Sequence, residues 1–404
     1  MVDEGKLNAQ LPNADGTPTL DYGSRMKAEI KSFAKCEEVH DLPAIFHYWS
    51  NTWLLPKLSA LGFTNHLELF EKQAILHCQR NRANGSPRET EILSIGAGNC
   101  DDEVRLASNL KRKGFDNFRI SCLELNASML DRGMSYAREQ NVVGHLRPLV
   151  EDFNQWRAGT SYDLVLACHS LHHVTNLEGL FAEVKSSLVP GGNFAIADMI
   201  GRNGHMRWPE ALAIVNEFLD ELATPLRYNR LLEVQEDTHV NWDCSTEAFE
   251  GIRAQDILPL LVQQFHFELF IGAGNIIFPF IDRGLGYNFD PNGLWDRRFI
   301  DRVHMRDENE MFVGNIKPTM MFAVLGTDSM VSTLHTPPFT PEFCVRWPNR
   351  DRTLKAYNDI ASDDAQNCTA LGYRLRVAEA KLEAAAQSKW FRLGRAFGFG
   401  PQLP

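Results

Sequence analysis

The chain has 404 residues, of which 44% are hydrophobic and 23% charged, and its formal net charge is −11. This length predicts two or three structural units with a sizeable core. The acidic balance argues against general nucleic-acid binding, because phosphate contacts require a surplus of Lys and Arg. No apolar run reaches the roughly 18–20 residues that span a bilayer.

The eight cysteines are scattered along the chain and form no CxxC pair. This pattern fits reduced thiols in a cytosol-like compartment better than disulfides or a zinc site. The N-terminal stretch is polar and lacks the apolar core of a signal peptide. We therefore expect a cytoplasmic protein, and no group of residues has a spacing that predicts a bound metal.

Five segments are predicted along the chain. Residues 1–40 begin with a turn-rich stretch and are interpreted as an N-terminal tail. Residues 41–90 carry apolar side chains at helical steps and predict a helical lid segment. Strand and helix patterns then alternate over residues 91–328. A Pro-rich linker is expected over residues 329–352, and a helical tail over residues 353–404.

The first strand of the alternation ends in a glycine turn. Gly96, Ala97 and Gly98 follow the apolar residues 91–95 directly, and a helical pattern comes next. Glycines let the backbone approach a ligand without a Cβ clash, and a helix N-terminus offers free N–H groups. The third glycine of a G-x-G-x-x-G dinucleotide motif is replaced by Asp101. That replacement argues against a nicotinamide cofactor.

Acidic residues end the next two predicted strands. Glu124 closes the second strand, 26 residues after Gly98, which is about the length of one helix plus one strand. A carboxylate in that place can accept hydrogen bonds from both hydroxyls of a ribose. Asp152 closes the third strand. A Pro-Gly-Gly turn that ends at Gly192 precedes the fifth strand.

These motifs together resemble those of the class I S-adenosylmethionine-dependent methyltransferases, over residues 90–326. The resemblance implies an α/β fold: a doubly wound, seven-stranded, mostly parallel sheet with an antiparallel edge hairpin, a helical N-terminal segment and helical cap insertions. The chain departs from the family pattern at Ser94, where an acid is common, and at Cys100, which replaces a third glycine.

The same resemblance assigns cofactor-binding roles to individual residues. Glu124 would hold the ribose, Asp152 would face the adenine amine, and His169 would lie beside the sulfonium. The implied set for S-adenosylmethionine is Gly96, Ala97, Gly98, Glu124, Leu125, Asp152, Phe153 and His169, with Tyr48 and Trp49 from the lid segment closing over the cofactor.

Two histidine-containing stretches compete for a catalytic role. Methyl transfer is an in-line displacement that depends on positioning and on exclusion of water, and only a hydroxyl acceptor usually requires a base. His205 is the first choice for that base, with Arg202 or Asp198 orienting it or the acceptor. His173, after the fourth strand, is the alternative, unless the histidines there only fix the turn.

Insertions at residues 205–258 and 280–315 mix aromatic and polar side chains, and we expect them to form the acceptor pocket. Alternatively, their aromatic residues anchor the insertions to the core. The predicted reaction is methylation of a small-molecule or sugar-bearing acceptor, with O-methylation favoured because histidines suit hydroxyl activation. N-methylation is one alternative, and an inactive cofactor-binding scaffold that acts as a partner protein is another.

The C-terminal segment has two features of its own. Leu371, Leu375 and Leu382 contribute to a narrow apolar helical seam, which can dock on the protein's own core or on a partner helix. Residues 389–399 are basic and aromatic without an acid. Such a segment suits peripheral contact with an anionic membrane, or else self-association.

Overall fold

A computed structural model describes residues 20–33, 42–83, 88–246, 248–327 and 331–347. The predicted C-terminal tail, with its proposed membrane contact or self-association, lies outside the described residues. Most of the predicted N-terminal tail also lies outside them. In the part of the chain that the structure covers, none of the helices combines the length and the apolar character needed to cross a membrane.

A seven-stranded sheet forms the centre of the fold. The strands are β1 (Thr90–Ile95), β2 (Phe118–Glu124), β3 (Leu146–Val150), β4 (Tyr162–Cys168), β5 (Leu188–Met199), β6 (His266–Ala273) and β7 (Met320–Gly326). Their spatial order is β3-β2-β1-β4-β5-β7-β6. The first five strands are parallel, and β7 is antiparallel to both β5 and β6. The predicted fold class, including the antiparallel edge hairpin, is confirmed.

Helices cover both faces of this sheet. They are α1 (Tyr22–Phe33), α2 (Ala44–Trp49), α3 (Leu55–Ala60), α4 (His66–Ala83), α5 (Asp101–Arg112), α6 (Ala127–Glu139), α7 (Leu177–Ser187), α8 (Pro209–Asp220), α9 (Ala254–Gln264), α10 (Phe278–Ile281), α11 (Leu294–Phe312) and α12 (Pro341–Cys344). A parallel strand that is covered on both faces typically has a continuous run of apolar residues. In β4, Leu164, Val165 and Ala167 are fully buried.

The strand order places a crevice between β1 and β4. The chain leaves β1 toward β2 on one side and later returns to β4 on the other, so the connections diverge at this point. Ligands bind at such a switch point, outside the carboxyl ends of the strands. Ile95 pairs with Ala167. Gly96, which follows β1, and Cys168, the last residue of β4, therefore lie next to each other at the same edge.

The insertion at residues 280–315 is mostly helical, as predicted, whereas the insertion at residues 205–258 combines α8 with loops and a short two-stranded sheet (228–229 and 234–235). Aromatic side chains anchor both insertions. Phe218 of α8 packs against Phe280 and Phe299, with ring centroids 6.3 and 6.0 Å away. The Phe280 and Phe299 centroids are 5.4 Å apart. For these residues the anchoring alternative is the one the structure supports. By contrast, Trp242 and Trp295 are about half exposed.

Candidate active site

A cleft opens at the carboxyl ends of β1 and β4. Seven of the predicted cofactor residues line it: Gly96, Ala97, Gly98, Glu124, Leu125, Phe153 and His169. The predicted alternative base His173 also lines it, beside Ser170. The structure thus brings together residues from the ends of four strands, which the order of motifs along the chain predicted.

The glycine turn after β1 has a backbone that other residues rarely adopt. Gly96 has φ of +69° and Gly98 has φ of +54°. A Cβ atom on Gly96 would lie 2.4 Å from the Cβ of Ser170, well inside van der Waals contact. The absence of a side chain at Gly96 therefore lets the turns after β1 and β4 approach each other at the wall of the cleft.

Glu124 joins the turns that follow β1 and β2. Its Oε2 accepts a hydrogen bond from the Gly98 N–H at 3.0 Å, and its Oε1 accepts one from the Asn126 N–H at 2.9 Å. Burial raises the pKa of Glu124, and these N–H donors oppose that rise. Each carboxylate oxygen keeps a second lone pair. The side chain can therefore still accept hydrogen bonds from a ligand hydroxyl in the cleft.

Asp152, unlike its neighbour Phe153, is not among the residues that line the cleft. Its Oδ2 accepts a hydrogen bond from the Tyr22 hydroxyl at 2.6 Å, and its Oδ1 accepts one from the Asn154 N–H at 2.9 Å. The carboxylate thus fastens the start of α1 beside the cleft. Contact between Asp152 and an adenine amine stays a prediction.

The lid residues predicted in α2 need correction. Tyr48 donates from its hydroxyl to Asp301, and Trp49 donates from Nε1 to His304 Nδ1 at 3.2 Å. Both acceptors belong to α11. Tyr48 and Trp49 therefore pack against α11 and do not line the cleft. Among the helices that precede β1, α1 is the one that lines the cleft, and it falls inside the predicted N-terminal tail.

Helix α1 is held over the cleft by buried charged residues. Arg25 donates from Nη1 to the carbonyl oxygens of Ser245 and Ala248, the latter at 2.5 Å. Glu29 accepts a hydrogen bond from the Phe249 N–H at 3.2 Å. Arg25 and Glu29 are the buried residues of this helix. The apolar residues of α1 therefore have no periodicity that would indicate docking of this helix on the core.

Ser94, which stands where the family commonly has an acid, has a hydrogen-bond partner in α5. The Ser94 hydroxyl donates to Glu103 Oε1 at 2.5 Å, and Glu103 lines the cleft while only 6% exposed. Helix α5 therefore supplies a carboxyl group close to the strand position at which the family often has an acid. Burial, reinforced by the charge of Asp102, raises the pKa of Glu103 to about 8.

This raised pKa predicts a pH-dependent stability. The folded protein keeps a proton on Glu103 up to about pH 8, whereas the unfolded chain loses it near the ordinary glutamate pKa of 4.5. The stabilising contribution is therefore fully present below the unfolded pKa and is lost as the pH rises toward 8. Relative to Glu103→Gln, the wild type should lose roughly 1–3 kcal/mol of unfolding free energy from about pH 5 to about pH 8.

Urea unfolding at several pH values, without cofactor, measures this difference. The exposed Glu139→Gln variant, on α6, serves as the control and should follow the wild type at every pH. A constant difference between Glu103→Gln and the wild type across this range would contradict the raised pKa.

A cluster of histidines and carboxylates lies beside the cleft. Asp198, fully buried at the end of β5, accepts hydrogen bonds from the Ser170 and Leu171 N–H groups at 2.9 and 2.8 Å. Its Oδ1 lies 2.6 Å from His172 Nδ1. Burial alone would lower the pKa of His172, but Asp198 and Glu250 raise it to about 10. Asp198 therefore orients His172, and not His205 as predicted.

His205 has a different carboxylate partner. Its Nε2 lies 2.6 Å from Glu250 Oε1, whereas its Nδ1 is buried and has no hydrogen-bond partner among the described residues. Burial lowers the pKa of His205, which favours the neutral ring. With the Nε2 proton donated to Glu250, Nδ1 is left as an acceptor. Sequence reasoning missed Glu250, because it lies 45 residues beyond His205 with no motif around it.

Arg202, the other residue predicted to orient His205, also has different contacts. Its guanidinium lies 5.2 Å from the centroid of the Trp208 ring, and its Nη1 donates to the Arg207 carbonyl oxygen at 3.1 Å. These contacts fix the loop after β5. They give Arg202 no contact with the imidazole of His205.

Comparison with known proteins identifies the central segment. Residues 92–192 match the family model described as a methyltransferase domain. This segment is a methyltransferase domain. The cofactor is S-adenosylmethionine, as predicted, and the glycine turn and Glu124 both lie within the matched residues and line the cleft. The family predicted from the motifs is confirmed.

Individual relatives of this methyltransferase domain are distant. A sterol 24-C-methyltransferase of Neurospora crassa is 27% identical over 117 residues, which cover 29% of each protein. The chain thus spans less than a third of that relative. An O-methyltransferase of a Brevibacillus brevis multienzyme, solved with S-adenosyl-L-homocysteine, is 14% identical, with 82% and 95% of the two chains covered and a TM-score of 0.38.

A geranyl diphosphate C-methyltransferase of Streptomyces coelicolor is 12% identical, with 75% and 98% of the two chains covered and a TM-score of 0.39. These neighbours methylate oxygen in one case and carbon in the other, as their names state. At such identities and TM-scores they carry no argument about the acceptor of this methyltransferase domain.

Proposed function

We propose that this protein transfers a methyl group from S-adenosylmethionine to a hydroxyl of a small-molecule or sugar-bearing acceptor. The observation that supports a hydroxyl acceptor is the pairing of His205 with Glu250, which leaves a buried imidazole nitrogen that has no hydrogen-bond partner within the described part of the chain. Such a nitrogen beside a cofactor cleft suits removal of a proton from an alcohol.

The described residues fit the cofactor. The Gly96 turn carries no side chain and packs against Ser170 at the cleft wall, and Glu124 keeps lone pairs for the ribose hydroxyls. Leu125 and Phe153 supply apolar walls next to it, and His169 lies in the same cleft lining. When bound, S-adenosylmethionine supplies the electrophilic methyl group.

The residues of the chain then have distinct tasks. His205 Nδ1 accepts the proton of the acceptor hydroxyl, so that the oxygen becomes a better nucleophile. Glu250 accepts the hydrogen bond of the Nε2–H and stabilises the positive ring that forms, as a carboxylate does beside a catalytic histidine. Helix α1, held by Arg25 and Glu29, covers the cleft and limits the entry of water.

Ser94, Cys100 and the C-terminal tail are the features that favour an inactive scaffold. The hydrogen bond from Ser94 to the buried Glu103 reduces the weight of Ser94, because a carboxyl group is present at the cleft. N-methylation remains the competing reaction, since an amine acceptor can react without a base.

The test is turnover with a panel of alcohol, phenol, sugar and amine acceptors, with radiolabelled cofactor. With the acceptor that reacts, His205→Gln should lower kcat by about 10²- to 10⁴-fold, because general-base catalysis contributes about that much. Binding of S-adenosylhomocysteine should not change. His239→Gln is the matched control, since His239 pairs with Glu236 in the same insertion.

Two outcomes would oppose the proposal. Full turnover by His205→Gln would exclude this histidine as the base. A panel in which only amines react would replace O-methylation by N-methylation.

A further inference from the structure

Two imidazoles converge on one carboxylate beside the cleft. His172 Nε2 lies 3.3 Å from Glu250 Oε1, and His173 Nε2 lies 3.4 Å from Glu250 Oε2. These three residues can offer ligand atoms that all lie within 4.8 Å of one another. Charge-assisted N–H···O bonds are usually about 2.7–2.9 Å long. The two separations are therefore longer than an imidazole–carboxylate hydrogen bond.

The separations match the edge of a coordination tetrahedron. Metal–ligand bonds of about 2.0–2.2 Å from nitrogen and oxygen place neighbouring ligand atoms about 3.3–3.6 Å apart. His205 differs in this respect, because its Nε2 lies only 2.6 Å from Glu250 Oε1, a hydrogen-bond distance. His205 therefore orients the carboxylate, while His172 and His173 stand where ligands would.

The other nitrogen of each imidazole faces a carboxylate. His172 Nδ1 lies 2.6 Å from Asp198 Oδ1, and His173 Nδ1 makes an ion-pair contact of 2.7 Å with Glu29 Oε1, although without hydrogen-bond geometry. Histidines that bind metals almost always present their second nitrogen to a carboxylate, a carbonyl oxygen or water. This arrangement aims both Nε2 atoms toward Glu250.

We propose that His172 Nε2, His173 Nε2 and the Glu250 carboxylate bind one divalent transition-metal ion of the Zn²⁺ class. Two imidazoles and one carboxylate form a set that zinc and non-haem iron use with positions left open. Binding displaces any proton on the two Nε2 atoms. The positive ion also offsets the charge of the carboxylates of Glu29, Asp198 and Glu250.

The role of the ion rests on the proposed function, whereas its binding does not. His173 lines the cofactor cleft, so the ion would lie at the cleft wall. An acceptor hydroxyl bound at an open position would have a lowered pKa, and the metal would orient it toward the methyl group. This site could not be recognised in the sequence, because Glu250 lies 77 residues beyond His173.

Metal titration of the full chain tests this inference directly. The protein is stripped with a chelator and titrated with Zn²⁺ by calorimetry and with Co²⁺ by visible absorption. We expect one ion per chain, a Kd at or below the micromolar range, and cobalt bands that indicate bound imidazole. Glu250→Gln and His173→Gln should each weaken Zn²⁺ binding at least tenfold, and His239→Gln should bind like the wild type.

Several outcomes would overturn the inference. One is the lack of stoichiometric binding by the wild type, and another is unchanged affinity in folded Glu250→Gln and His173→Gln. If circular dichroism shows that those variants do not fold, the Cu²⁺ electron paramagnetic resonance spectrum of the wild type decides. Hyperfine coupling to two imidazole nitrogens supports the site, and its absence overturns it.

The metal site and the proposed function fail separately. Methyl transfer by a protein that binds no metal removes only the metal site. Stoichiometric metal binding without transfer to any acceptor removes only the proposed function.

Discussion

Replacing Glu124 with Ala should weaken the binding of S-adenosylhomocysteine by roughly 10²-fold, since hydrogen bonds to a charged group contribute about 1.5–3 kcal/mol each and tenfold in affinity is about 1.4 kcal/mol. The loss has two sources. The carboxylate can accept hydrogen bonds from the ribose, and it also ties the backbone of Gly98 to that of Asn126. Without it, both turns lose the contact that shapes the cleft.

Calorimetric titration with S-adenosylhomocysteine measures this effect without an acceptor. Glu151→Ala is the matched control, because Glu151 follows the adjacent strand β3 and its side chain is exposed. Glu124→Gln separates the two sources, since the amide keeps one acceptor but loses the charge. Equal affinities for Glu124→Ala and the wild type would mean that the cofactor does not bind where the glycine turn and Glu124 meet.

The second large effect is expected for Gly96→Ala. A methyl group there must avoid Ser170 Cβ at 2.4 Å while the backbone keeps a φ of +69°. The strain of a left-handed backbone at an alanine and the overpacking against Ser170 together should lower the free energy of unfolding by about 2–4 kcal/mol. The turns after β1 and β4 should also move apart, so that cofactor affinity falls below detection.

Thermal unfolding and calorimetry together check this prediction. Gly144→Ala is the control, because a Cβ atom on Gly144 would meet nothing within 4 Å and its φ is not left-handed. That variant should unfold and bind like the wild type. A Gly96→Ala protein with unchanged Tm and affinity would show that the turn has more room than the contact with Ser170 allows.

The sheet and the cofactor turn could be predicted from the sequence because their signals are local. β4 contains the apolar run of residues 164–168, and the glycine turn follows β1 directly. Glu124 ends β2 as predicted, and the carboxyl ends of parallel strands necessarily meet at one edge. The order of elements along the chain was therefore enough to bring these residues together.

The parts that sequence reasoning missed depend on contacts between distant segments. Helix α1 buries Arg25 and Glu29 rather than an apolar stripe, so no periodicity indicates that it covers the cleft. Conversely, the aromatic residues Tyr48 and Trp49 suggested a lid, but they pack against α11. Glu250 gains its partners only when the insertion folds back over β4 and β5.

The anchoring of α1 has a consequence for the order in which ligands leave. Arg25 and Glu29 hold the backbone at Ala248 and Phe249, immediately before Glu250. A movement of α1 that opens the cleft must therefore also disturb the loop that aligns this carboxylate. Because such coupling between binding free energies is reciprocal, an acceptor that immobilises the loop should strengthen the binding of the cofactor. We expect an ordered reaction in which the methylated product departs before the spent cofactor.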